Sequence, residues 1–253
     1  MSIASKLQDI LAAKADIKAA IAGKGGTITD ATPLDEYATA VQSIPSGDDL
    51  IKLIDRTITS IDIPYGTTTI GQYSFYYCNN LTSITIPNTV TSTGVWCFAE
   101  CHSLTSIVLP TSMRSLASRT FHSCINLVDV TLNDGLNFLG DSCFYNTKMT
   151  YLRIPDTVTT IGINCFHFCY LIRDVDIGTG ITSIGNNFMG NSRQTNGTII
   201  VRAVIPPTLG TSFLPTNFAG KIYVPDASVE VYKTATNWST WADYIYPLSE
   251  YQP

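Results

Sequence analysis

A chain of 253 residues is long enough for one large domain or two smaller ones, and for a sizeable buried core. Hydrophobic residues make up 45% of it but charged residues only 14%, below the usual quarter or so, so the polar surface falls to Thr, Ser and Asn. That balance suits strands and turns and recurs in fibrous, extracellular and virion proteins. A net charge of −5 with no basic run excludes a nucleic-acid partner, and no stretch approaches the ~18 apolar residues of a membrane span.

In chain order, residues 1–47 form the first unit. Residues 2–22 read as an amphipathic helix with Ile3, Leu7, Ile10, Ile17 and Ile21 at three-to-four spacing, interrupted by Lys14. Gly23 and Gly25-Gly26 stop it, and a second short helix is expected from Pro33 to Ser43, capped by Thr32. Pro45-Ser46-Gly47 reads as a linker. Polar residues interrupt every turn of the opening, so it is not a secretory leader. The expectation is a soluble chain that stays in the producing cell until released. The stretch from Lys14 to Ile21, with Gly23-Lys24-Gly25 and Thr32-Pro33-Leu34-Asp35-Glu36-Tyr37, resembles the N-terminal segment of phage tail and baseplate-associated proteins. That resemblance implies attachment to other virion proteins, or a homo-oligomer joined through the Ile3, Leu7, Ile10, Ile17 and Ile21 stripe.

Residues 48–201 carry an internal repeat. Phe75, Phe98, Phe121, Phe144, Phe166 and Phe188 recur at intervals of 23, 23, 23, 22 and 22. Three residues on stand Cys78, Cys101, Cys124 and Cys169, with Thr147 and Asn191 as departures. Short alternating runs follow, such as Ile84-Thr85-Ile86-Pro87 and Leu152-Arg153-Ile154-Pro155, and the next Phe is preceded by pairs such as Ile161-Gly162 and Ile184-Gly185. Alternation at period two predicts a short strand with one buried face. The proline ends the strand, the glycine permits the turn back, and Phe and Cys fit one face of a helical turn. One unit cannot bury its own apolar face, so the units must stack. At these residues the chain resembles the BspA-like leucine-rich-repeat family, which includes bacterial surface adhesins and phage or prophage structural proteins. The resemblance implies a recognition scaffold.

Residues 202–253 depart from the repeat. After a strand at Thr198–Val201 that closes the repeat unit, Lys221–Val224 reads as a strand, Asp226 begins a helix to about Thr236, and Trp238, Trp241, Tyr244 and Tyr246 follow. A repeat array needs a terminal unit over its last core layer, which these aromatics suit. The predicted fold class is mainly β: a leucine-rich-repeat solenoid with short helical turns, an N-terminal helical segment and an α+β C-terminal cap.

Two surfaces are candidate binding faces. The column after each Phe, with Tyr76, His122, Tyr145 and His167 as its polar aromatics, would form a ladder for a sugar or a protein. The outward strand positions end in Asp129, Tyr151, Arg153, Asp174 and Asp176, where the two last acids suit a cation or a basic partner. The alternative for both is a solvated flank. Cys97, Cys101 and His102, or Cys165, His167 and Cys169, do not match zinc-ligand spacing, so no metal is expected and the seven cysteines read as small core residues. An odd cysteine count without a leader argues against a disulfide framework. Neither a nucleophile motif nor a paired acid accompanies His102, His122 or His167, so neither catalytic residue nor cofactor is expected. Asn80, Asn196 and Asn237 match glycosylation acceptors, which count only on a secretory route. The expectation is a non-enzymatic virion component of tail-fibre type that recognises a host-surface glycan or protein. The alternative is a bacterial cell-surface adhesin of the same repeat family. A carbohydrate-active enzyme would require Asp129, Asp174 and Asp176 to cluster in a pocket.

Overall fold

The computed structural model of the chain describes residues 56–190 and 196–252. The two N-terminal helices, the linker and the Ile3, Leu7, Ile10, Ile17 and Ile21 stripe lie outside the described residues.

Each repeat makes one coil with two strands. The first flank carries β1 (Ser60–Asp62), β3 (Ser83–Thr85), β5 (Ser106–Val108), β7 (Asp129–Thr131), β9 (Tyr151–Ile154), β11 (Asp174–Ile177), β13 (Thr198–Val201), β15 (Lys221–Val224) and β16 (Ile245–Pro247). The second carries β2 (Thr69–Ile70), β4 (Ser92–Thr93), β6 (Ser115–Leu116), β8 (Phe138–Leu139), β10 (Thr160–Ile161), β12 (Ser183–Ile184) and β14 (Thr208–Leu209). All pairings are parallel and in register one coil apart, as with Ile161 opposite Ile184 and Asp174 opposite Tyr151. The second flank is one continuous seven-stranded sheet, whereas the first is split into β1-β3, β5-β7 and a five-stranded sheet from β9 to β16.

The sequence pattern explains each side of the coil. Ile84-Thr85-Ile86 and its equivalents alternate inward and outward, and Pro87, Pro110 and Pro155 each accept a turn hydrogen bond from Val90, Met113 and Val158, three residues on. The abundant threonines bind coil to coil: the hydroxyls of Thr82, Thr91 and Thr182 donate to the carbonyls of Thr59, Thr68 and Thr159. The same carbonyls also accept the backbone amides of Thr82, Thr91 and Thr182, so each threonine holds the preceding coil twice.

The third side is where the expected helical turn should stand, and it is built differently. It is a stack of tight turns whose amides alternate between their own coil and the next. Phe75 N donates to Cys97 O at 2.8 Å and Phe121 N to Cys143 O at 2.8 Å, while Cys78 N bonds back to Phe75 O at 3.1 Å. To present amides sideways, two residues per coil adopt left-handed backbone, including Trp96 and Glu100 at φ 60° and Arg119 at φ 61°. A helix would turn all its amides along its own axis and leave neighbouring coils unlinked.

The glycines also act differently from expectation. Gly162 and Gly185 do not have positive φ; they allow coils to approach. A Cβ on Gly162 would sit 2.5 Å from Asp141 N, and one on Gly185 would sit 2.6 Å from Ile163 N. Gly94, Gly140 and Gly210 face the preceding coil's backbone in the same way.

The core is a column of rings. Phe75, Phe98, Phe121 and Phe144 stack with centroids 5.2 to 5.4 Å apart and planes within 12°. Phe166 continues the stack at 5.4 Å, and Phe188 then turns edge-on at 73°. The column does not end there: Phe213 stacks on Phe188 at 5.4 Å and Trp238 packs on Phe213 at 5.2 Å. The parallel ladder likewise runs through β13, β15 and β16, so the coil geometry persists beyond Val201 after the consensus has faded. A short helix, α1 (Val229–Thr234), closes this end. Buried Tyr232 donates to Ala203 O at 2.8 Å and Trp238 Nε1 to Pro207 O at 2.8 Å, which satisfies the polar tips of both rings.

All seven cysteines are buried, free thiols. Their role is local: Cys101, Cys124 and Cys169 Sγ donate to the carbonyls of Phe75, Phe98 and Phe144 in the preceding coils, at 3.0 to 3.1 Å. Burial pushes Cys78 and Cys169 up to about 11 and Cys143 up to about 12, so these groups stay protonated.

Candidate functional site

The strand face forms in the expected register. Ser106 stands opposite Asp129, Tyr151 opposite Asp174, and Arg153 opposite Asp176. Tyr151 is 55% exposed and Arg153 points outward. The acidic pair is nevertheless not available as a unit. Arg202 donates Nε and Nη2 to the two carboxylate oxygens of Asp176 at 2.6 and 2.8 Å, and Asp174 accepts Thr198 N at 3.1 Å. The Asp176 carboxylate holds Arg202 above the ordinary guanidinium range. A basic partner would have to displace an internal one, so the expectation that Asp174 and Asp176 bind a basic partner fails for Asp176. Asp129 lies in the separate β5-β7 pair, two coils or about 10 Å from Asp174. Among the described residues no three His, Cys, Asp or Glu side chains gather to hold a metal ion. His102 is instead paired with Glu100 at 2.9 Å.

The turn-stack flank gathers its residues more completely. His122 and Tyr145 stack at 4.5 Å and 12°, and Tyr145 and His167 at 5.6 Å and 12°. Tyr76 does not reach His122, because Ala99 in the intervening coil is buried. Trp96 fills that gap, edge-on to Tyr76 at 5.7 Å and to His122 at 5.0 Å, with the Arg119 guanidinium 5.0 Å above its ring. Phe168 adds an edge contact to His167 at 4.4 Å. The result is a partly exposed aromatic rail from Tyr76 to His167. Trp96 and Phe168 escape a reading by columns because they sit beside the column rather than in it, on left-handed backbone.

Burial lowers the basicity of His122 and His167, and the Nδ1 atom of His122 is enclosed without a hydrogen-bond partner. Both rings are therefore neutral near pH 7 and act as flat, weakly polar surfaces.

Where the rail ends, buried Met189 replaces its next member and a groove of about 600 Å³ opens. His167, Asn187, Phe218, Trp241 and Tyr244 are among the residues that line it. The three rings hold one another, Phe218 lying 6.1 Å from Trp241 and 5.8 Å from Tyr244. The sequence singles out His167 as a rail residue and Trp241 and Tyr244 as capping aromatics, but the repeat gives no signal that they share a groove.

A family model described as a BspA type leucine rich repeat region matches residues 54–204 in six copies, more than half of the chain. Among solved structures, a leucine rich cell surface protein from Faecalibacterium prausnitzii is similar with a TM-score of 0.58 and 26% identity, over 66% of this chain and 48% of that one. A leucine-rich repeat protein from Bacteroides ovatus has a TM-score of 0.52 and 21% identity, over 67% and 53%. A leucine rich repeat protein of T. pallidum has 0.55 and 20%, over 64% and 85%. This chain thus spans about half the length of the first and second of these neighbours. A comparison with curated proteins gives no match, and none of the comparisons supports the likeness of the N-terminal segment to phage tail proteins. The coil built on the Phe column, the in-register parallel ladders and the family match agree: the chain belongs to the BspA-type leucine-rich-repeat family.

Proposed function

We propose that this protein is a non-enzymatic recognition module displayed at a surface, in the manner of an adhesin, and that it binds through its turn-stack flank. The observation that carries the reading is the aromatic rail. Tyr76, Trp96, His122, Tyr145 and His167 form one run of partly exposed rings on a frame fixed by hydrogen bonds in every coil. Rigid aromatics with polar tips give contact area at little entropic loss, which is why such residues dominate recognition surfaces. The cell-surface description of the Faecalibacterium neighbour favours surface display over a virion location. What sets the tail-fibre reading apart from the adhesin reading is the N-terminal segment, and that segment lies outside the matched residues.

The test is binding of the labelled full chain to epithelial and bacterial cells, competed by unlabelled protein. Saturable, competable binding is expected on at least one cell type. Linear, uncompeted uptake on all of them would overturn the proposal.

A further inference from the structure

We infer that the groove at the C-terminal end of the solenoid is a binding site for an uncharged glycan, and that the rail leads into it. The inference rests on the recognition reading above and adds the class of ligand.

The groove has the size of a small-ligand site, its 600 Å³ falling inside the usual range of about 300–1,000 Å³. Its chemistry is selective. Trp241 and Tyr244 line it with aromatic rings, and Phe218, also in the lining, packs against both. Sugar rings present apolar C–H patches that pack on such faces. Two planar amides also line the groove. Asn187 gives one amide proton to Asn164 Oδ1 at 3.0 Å, and Asn237 gives one to Leu209 O at 2.5 Å. These bonds fix the side chains and leave a carbonyl oxygen and a second N–H on each for a ligand. The Thr211, Thr216 and Thr240 hydroxyls add donors and acceptors at the rim.

Among the described residues no Asp, Glu, Lys or Arg lines the groove. A phosphate, a sulfated sugar or a charged peptide would lose its hydration without gaining an opposite charge. A polyhydroxylated neutral ligand needs what is present: stacked faces and bidentate amides. His167 lines the groove and also stacks on Tyr145 in the rail, so a chain of several sugar units has a continuous path from one to the other.

The experiment uses the full chain and a panel of neutral oligosaccharides built from hexoses and N-acetylhexosamines, followed by calorimetry and tryptophan fluorescence. Saturable binding of at least one of them at millimolar concentration is expected, with a fluorescence change. Trp241→Ala and, as a variant that leaves the core intact, the groove-filling Thr240→Arg should each weaken that binding by about tenfold or more. Both variants must keep the circular dichroism of the parent. Absence of binding across the panel, or binding unchanged in Thr240→Arg, overturns the inference. Cell binding before and after periodate oxidation of cell-surface sugars separates the two claims. Loss on oxidation supports both. Binding that survives oxidation overturns the glycan inference and leaves recognition standing, with a protein as ligand. No saturable cell binding at all removes the recognition reading itself.

Discussion

Replacing Phe121 with Ala tests the ring column, because Phe121 is fully buried and is held between Phe98 and Phe144, each 5.4 Å away. Removing the ring forfeits about 2 kcal/mol of transfer free energy and two stacked pairs at about 1 kcal/mol each. The sum, about 4 kcal/mol, falls in the range of about 3–5 kcal/mol for buried Phe→Ala changes. For a domain with a urea slope near 2 kcal/mol/M this moves the unfolding midpoint down by about 2 M. Equilibrium urea unfolding followed by circular dichroism measures it. Ile125→Ala, at a position 37% exposed, is the control and should cost no more than about 0.5 kcal/mol. A shift below about 0.5 M for Phe121→Ala would refute the claim that the stacked rings bind successive coils.

Three further outcomes follow from the same geometry. Gly162→Ala should destabilise by about 1–3 kcal/mol, since its Cβ would meet Asp141 N at 2.5 Å; were the glycine only a flexible turn residue, alanine would instead stabilise the fold. Thiol labelling of the native protein should be slow until unfolding exposes all seven cysteines, and rapid labelling of a native thiol would contradict their burial. Because His122 is less basic folded than unfolded, protonating the chain favours the unfolded state. Stability should fall as pH drops below the unfolded value of about 6.5, and be retained above it. His122→Phe should flatten that slope in thermal melts; an unchanged slope would place the titration elsewhere.

Much of the fold was legible because the core column is written in one residue type. The six phenylalanines at 22 or 23 residues, and the alternating runs after them, suffice to stack the coils. The column's last members, Phe213 and Trp238, were not legible: the spacing stretches to 25 and the residue type changes. The helical turn was misjudged because a three-residue spacing of Phe and Cys fits a helix and a tight turn equally; the left-handed backbone at Trp96 and Glu100 decides between them. The glycine signal was read correctly as a constraint but assigned to the wrong cause, close approach being invisible until coils are stacked. The strand-face columns emerged in register, yet Asp176 was misread as available since its partner, Arg202, stands 26 residues away in the following coil. The rail was half legible, with Tyr145 and both histidines in one column and Trp96 outside it. The groove was not legible, because it joins His167 and Asn187 of the repeat to non-repeating residues at the capped end.

The claim on which the rest depends is that recognition takes place on the turn-stack flank and not on the strand face. Cell binding by two double variants tests it most directly. His122→Ser with Tyr145→Ser breaks the stacked rail pair, and Tyr151→Ser with Arg153→Ser strips the exposed strand positions. With both proteins folded, the first should bind about tenfold more weakly and the second like the parent. Full binding by the rail variant together with loss in the strand variant would contradict the account.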